Sequence, residues 1–151
     1  MEFKFDRRAA LKAGAAFAAA SALPAWAQAK PMRFAAVFAD KDIRADMIRM
    51  LAKDIEGDFK VEPFFNASLF KQGTELVALQ RDNLEMANIA PQDISKQITA
   101  WSILTSAYLF RDANHLFTFW SSDLGAQYKK QAEDQVKIKI LGPTFFGTRQ
   151  V

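Results

Sequence analysis

The side chain in this sequence best equipped to hold a ligand is Arg149. It lies near the end of the stretch 141–151, L-G-P-T-F-F-G-T-R-Q-V, an apolar run with a Gly on each side. An arginine is a permanently charged planar fork of donors, which matches a carboxylate through two parallel hydrogen bonds. The competing reading is a solvated arginine near a terminus. Other groups with chemical potential have simpler explanations. Asp40, Asp42 and Asp46 crowd together, as acids do at a solvated helix start. His115 sits among apolar helix residues with no metal-ligand partner nearby in sequence, which suits a structural or surface histidine. Phe64, Phe65, Phe117, Phe119 and Trp120 read as core aromatics.

Composition removes several function classes. The chain has 151 residues, half of them apolar and a quarter charged, enough for one domain with a real core. It has no Cys and one His, which excludes disulfides, thiolate nucleophiles, iron–sulfur ligation and Cys-based zinc sites. There is no P-loop, GxGxxG, HExxH, GxSxG or EF-hand loop, so no cofactor or metal is implied. Of the net charge of +3, two units come from the first 29 residues, where Lys4, Arg7, Arg8 and Lys12 outnumber Glu2 and Asp6. The rest is nearly neutral with no basic stripe, which argues against a nucleic-acid surface.

Residues 1–29 read as an export signal. A charged start is followed by the Ala-rich run 13–23 and by small residues at alternate positions. The run is too short and too weakly hydrophobic to span a bilayer. Arg7-Arg8 with Leu11-Lys12 resembles a twin-arginine signal, although Asp6 and Ala10 replace its usual hydroxyl and Phe residues. Cleavage fits after Ala27 or after Ala29, leaving an extracytoplasmic, periplasmic protein from residue 30 onward.

The elements that must position Arg149 follow in a regular order. Residues 32–38 suit a buried strand. Next comes a helix capped by Asp40 or Asp42 and stopped by Gly57, with Ile43, Met47, Ile48, Met50, Leu51 and Ile55 at helical spacing. Residues 58–65 alternate as a second strand, and Pro63 within it demands an edge position. Residues 74–81 form a second helix, with Thr74 as a cap and Leu76, Val77 and Leu79 inward. Residues 84–89 form a third strand. This β-α-β-α-β order predicts a parallel sheet covered by helices on both faces. Ligands bind such sheets at the carboxyl ends of the strands, here residues 38–42, 65–68 and 88–92. Beyond it, a short helix occupies 91–98, and the apolar segment 101–110 has no clear assignment. Asp112 caps a helix that breaks near 121–123, and a further helix reaches Asp134. Residues 136–141 then read as a strand leading to Arg149.

The order of pieces from M-R-F-A-A-V-F through K-D-I-E-G-D-F-K-V-E-P-F-F, S-L-F, T-E-L-V-A-L-Q-R-D-N-L-E-M, A-Y-L-F-R-D-A-N-H-L and K-I-L-G-P-T-F-F to G-T-R-Q resembles the first half of the solute-binding proteins of TRAP transporters, the tripartite ATP-independent periplasmic carriers. Asp82 and Phe70 stand where that family often has Gly, and Tyr108 where it often has Pro.

The resemblance implies a three-layer αβα lobe of the periplasmic-binding-protein type II-like fold. It has a mostly parallel sheet, spans residues 30–151 and is truncated before the second lobe. It further implies a non-enzymatic monomer that captures a small organic acid for TRAP membrane permease subunits, with weak or no binding by this chain alone. The G-T-R-Q match places Arg149 at a carboxylate-holding position, and the family's other arginine, in a later Lys-x-Arg strand, has no counterpart here. Carried over by position, Asp40, Asn66, Gln72 and residues 90–92, including Pro91 and Gln92, line the cleft. Two other readings stay open on residues alone: a small exported hydrolase using His115, and an interaction module pairing through a sheet edge.

Overall fold

The computed structural model describes residues 31–147. Residues 1–29, expected to be an export signal cleaved after Ala27 or Ala29, and Arg149, expected to anchor a carboxylate, lie outside the described residues.

Three short strands, β1 (Met32–Ala35), β2 (Val61–Phe64) and β3 (Met86–Ala87), form a parallel sheet in the order β2-β1-β3. Pro63 pairs with Phe34 from β2, an edge strand, as its missing N–H requires. Helix α1 (Ile43–Asp54) joins β1 to β2, and α2 (Glu75–Gln80) joins β2 to β3. Successive strand residues point to opposite faces, and the two helices divide them. On one face Phe34, Ala36 and Phe38 pack with Ala45, Ile48 and Phe65. On the other, Ala35 packs with Ala78 and Leu84. The parallel, doubly covered α/β lobe is therefore present.

A helical subdomain completes the core. It contains α3 (Pro91–Ser95), a 3-10 helix over Thr99–Thr105, α4 (Ala113–Ser121) and α5 (Asp123–Val136). Trp101 and Trp120 sit at its centre with Leu76, Ile94, Ile98, Leu104, Ala132, Val136 and Ile138. The break between α4 and α5 falls at Ser122, whose hydroxyl accepts from the Gly125 N–H. Asp112 caps α4 by accepting from the His115 N–H.

Several expectations change. Val136 ends α5 instead of starting a strand. Lys137 turns the chain at a φ of 58°, and residues 138–147 form no ladder among the described residues. Burial still alternates there, with Ile138 buried, Lys139 exposed and Ile140 half-buried, so the strand pattern persists without a pairing partner among the described residues. Helix α1 ends at Asp54 with Ile55 as its cap, before Gly57. Thr74 does not cap α2, because its hydroxyl donates to the Lys71 carbonyl instead.

The apolar stripe of α1 also divides unexpectedly. Ala45 and Ile48 face the sheet, while Ile43 and Met50 are 77% and 66% exposed, with Met47 and Leu51 also on the outside. The small Ala45 side chain sets the helix close to the sheet, and 3.6-residue geometry then turns Ile43, Met47 and Met50 to the opposite side. Val77 of α2 is likewise exposed, with Ala78 buried in its place.

Candidate functional site

The carboxyl ends of the three strands are tied to one another beyond the sheet itself. The Asn66 N–H donates to the Phe38 carbonyl, that of Ala67 to Ala36, and that of Asn88 to Ala35. These bonds gather the segments after β1, β2 and β3 along one edge, the edge where parallel α/β sheets bind ligands. Asn66 and Ala67 both have positive φ, 58° and 51°, which L-residues other than Asn rarely adopt.

Most of the sequence-predicted site residues reach this edge. Asp40 follows β1 and Asn66 follows β2, both exposed. Pro91 occupies the first turn of α3, beyond β3, and Gln92 beside it is exposed. Gln72 lies farther along the β2–α2 connection, exposed in a turn. A shallow groove lined by Phe70, Gly73, Thr74, Val77, Ala78, Arg81 and Asn83 runs along α2 and includes none of the predicted residues.

The acidic trio is ion-paired. Asp42 caps α1 by accepting from the Arg44 N–H at 3.0 Å, and its carboxylate also takes the Arg44 Nε at 2.8 Å and Nη2 on its second oxygen. Those side-chain bonds first, and the backbone N–H second, push the Asp42 carboxyl down to about 2. The same pairing raises the Arg44 guanidinium further. Arg49 donates to Asp46 at 2.8 Å and to both the carboxylate and the carbonyl of Asp40. Asp40, expected to line a cleft, is therefore already engaged by a neighbour of its own.

Sequence reasoning gave Arg44 and Arg49 no role and read Phe65 as simple core. Together they form an organised cluster. Phe38 and Phe65, at the ends of β1 and β2, have ring centroids 6.1 Å apart. The Arg44 guanidinium lies over Phe38 at 4.4 Å, and that of Arg49 over Phe65 at 4.9 Å. Arg44 also meets the Phe146 ring at 4.9 Å, so the segment leading to Arg149 docks against the strand-end edge. An aromatic after each of two adjacent strands, with arginines in the first two turns of the helix that joins them, was the available signal.

His115 is accounted for locally. Its Nδ1 faces the Arg111 N–H at 3.4 Å, its N–H is capped by Asp112, and its ring packs edge-on against Phe110. Among the described residues no cluster of His, Asp or Glu could hold a metal ion. No described helix is long and apolar enough to cross a membrane.

Comparison with known proteins fits this arrangement. Residues 39–151 match the profile of the family described as bacterial extracellular solute-binding protein, family 7. A solute-binding protein of Sulfitobacter sp. (strain NAS-14.1) is 27% identical over 153 residues, covering 97% of this chain and 46% of the relative. A TRAP periplasmic solute-binding protein from Roseobacter denitrificans, solved with bound 3-deoxy-D-manno-oct-2-ulosonic acid, superposes with a TM-score of 0.70 at 27% identity. That match covers 74% of this chain and 37% of the other. The Bordetella pertussis receptor DctP6, solved with pyroglutamic acid, shares the fold at a TM-score of 0.62 and 14% identity, over 70% of this chain and 36% of that one. The chain thus spans less than half the length of these relatives.

Proposed function

This chain belongs to the bacterial extracellular solute-binding proteins of family 7, and we propose that it forms the first lobe of a two-lobed receptor that captures an organic acid for a TRAP-type membrane permease. The observation that carries this reading is the likeness, at 27% identity, to a TRAP receptor holding a sugar acid. The gathered carboxyl ends of β1, β2 and β3 support it, since they supply one wall of an interlobe cleft.

In this reading Arg149 binds the ligand carboxylate through its fork, and Asn66, Gln72, Pro91 and Gln92 line the first wall. Asp40 contributes indirectly, by holding Arg49. Carboxylate recognition falls to Arg149 because the arginines of α1 already spend their donors on Asp42, Asp40 and Asp46. Residues 1–29 direct export by the twin-arginine route, with cleavage after Ala27 or Ala29, and the mature receptor works as a periplasmic monomer. One lobe leaves a small ligand half in water, so the chain of 151 residues binds weakly or not at all without a second lobe.

Calorimetry with a panel of sugar acids and short organic acids tests this on a receptor carrying both lobes, beside the 151-residue chain. The two-lobed receptor binds one acid, the single lobe does not, and Arg149→Ala lowers the affinity about a hundredfold, the scale of a lost bidentate charge-assisted pair. An unchanged affinity in Arg149→Ala rules out the anchor role.

A further inference from the structure

We propose that Asp93 is a positioning residue for the binding cleft: its buried carboxylate, held by Lys96, seats the turn that presents Gln72. The proposal rests on the reading of Gln72 and Gln92 as residues lining the first wall.

Gln72 stands at the tip of a closed turn. The Lys71 carbonyl accepts from the Thr74 N–H at 3.0 Å and from the Thr74 hydroxyl at 2.7 Å, so residues 71–74 form a β-turn with Gln72 and Gly73 as its central pair. Gly73 has a φ of 86°, which a type II turn requires at its third residue and which glycine adopts without strain. Gln72 is exposed. Closing the turn fixes its shape, but not where it lies on the lobe.

That placement comes from α3. A Cβ at position 73 would stand 3.2 Å from Asp93 Oδ1 and 3.3 Å from Lys96 Nζ, so the bare glycine backbone lies directly on this ion pair. The Asp93 side chain is only 9% exposed, and its Oδ1 accepts from Lys96 Nζ at 2.7 Å. A carboxylate this far out of water needs such a partner, and the pairing holds its oxygen in one place. Ile94, next in the chain, is buried with Trp101 in the helical core, so the carboxylate rides on a fixed element.

The contact sets the spacing of the cleft wall. Gln72 precedes Gly73 and Gln92 precedes Asp93. Each glutamine is therefore one peptide unit, about 3.8 Å between Cα atoms, from the point where the segments after β2 and β3 meet.

The test has two arms. In the 151-residue chain, NMR follows the backbone amides of Gln72 and Gly73. Asp93→Ala removes the seat and should shift both, whereas Asp93→Asn keeps the oxygen and the volume and should leave them near their parental positions. Unshifted amides in Asp93→Ala overturn the seat. In the two-lobed receptor, calorimetry uses 3-deoxy-D-manno-oct-2-ulosonic acid, β-D-galacturonate, D-glucuronate and pyroglutamic acid as probes. Asp93→Ala should weaken binding about tenfold, the scale of one lost hydrogen bond, and Asp93→Asn should bind like the parent. Because Asp93 acts through Gln72, Asp93→Ala should add nothing in a Gln72→Ala background, and full additivity overturns the positioning role. If Asp93→Ala does not melt near the parent, Lys96→Met at the exposed end of the pair takes its place, with the same shifts and weaker binding expected. Unshifted amides there overturn the seat equally. If Gln72→Ala weakens binding while Asp93→Ala binds normally, the seat is overturned and the lining reading stands. If Gln72→Ala and Gln92→Ala both bind like the parent, the lining reading fails and the positioning role fails with it, while the NMR arm still judges the Asp93–Gly73 contact.

Discussion

Gly125, in the first turn of α5, backs directly onto Trp120 of α4: a Cβ at position 125 would stand 2.7 Å from the Trp120 Cα and nearer still to the Phe119 carbonyl. Both neighbours are backbone and cannot swing aside. The glycine thus sets the close turn between two helices that otherwise enclose Trp101 and Trp120.

Gly125→Ala should therefore destabilise the protein by about 1–3 kcal/mol, the range for forced overpacking. Helix propensity alone argues the reverse, a gain of up to about 1 kcal/mol for Ala over Gly. Urea unfolding decides the sign, and a more stable Gly125→Ala variant would mean that α4 and α5 approach less closely than described.

Trp101 offers a second contrast. It is 1% exposed, packs against Trp120 and Tyr128, and its Nε1 has no hydrogen-bond partner among the described residues. Trp101→Ala should cost about 3–5 kcal/mol through the cavity. Trp101→Phe should cost no more than about 1 kcal/mol, because deleting the unpaired donor recovers about 1–3 kcal/mol of desolvation. Equal losses in the two variants, measured by chemical denaturation, would show that the indole nitrogen is satisfied in solution.

The Asp42–Arg44 pair predicts a pH signature. The carboxyl is held at about 2 in the folded protein, below its ordinary 3.8. The pair's contribution to stability is therefore complete above pH 4 and disappears as pH falls through about 2. Asp42→Asn keeps a capping side chain but loses the charge, so its stability deficit relative to the parent should be constant from pH 7 to 5 and should shrink toward pH 2. A deficit independent of pH would show that the charge adds nothing to the cap.

Positive φ at Ala67 and Asp82, 51° and 56°, places L-residues where glycine is at ease. Ala67→Gly and Asp82→Gly should each be neutral to stabilising, by up to about 1 kcal/mol, once the glycine's extra freedom in the unfolded chain is counted. Ala67→Val should destabilise, as a β-branched residue suits that region worst. Shifts in the urea midpoint of the opposite sign would contradict the described turns.

Much of the fold was legible from residues because it depends on local rules. Alternation of strand and helix patterns implied the parallel sheet, and Pro63 implied that β2 is an edge strand. Asp112 and the break near Ser122 marked helix boundaries through capping chemistry that neighbouring residues complete. Asp82, which the resemblance set at a glycine-like position, has a left-handed φ of 56°. Tyr108 has a φ of 61°, which a proline at that position could not adopt.

What residues alone determined about this protein was the type and order of the elements from β1 to β3, and the helix boundaries at Asp112 and Ser122. The side-chain pattern did not say which face of α1 meets the sheet, since Ile43, Met47 and Met50 are as apolar as Ile48, and the choice rests on how closely Ala45 approaches β1. It did not reveal that 138–147 would form no ladder among the described residues, because pairing belongs to the neighbour as much as to the strand. Nor did it join Arg44 to Phe38 and Phe146, residues over a hundred positions apart at the extremes, whose rings both meet the Arg44 guanidinium at the start of α1. Local patterns need only their own periodicity, whereas a site requires the juxtapositions that tertiary packing alone creates.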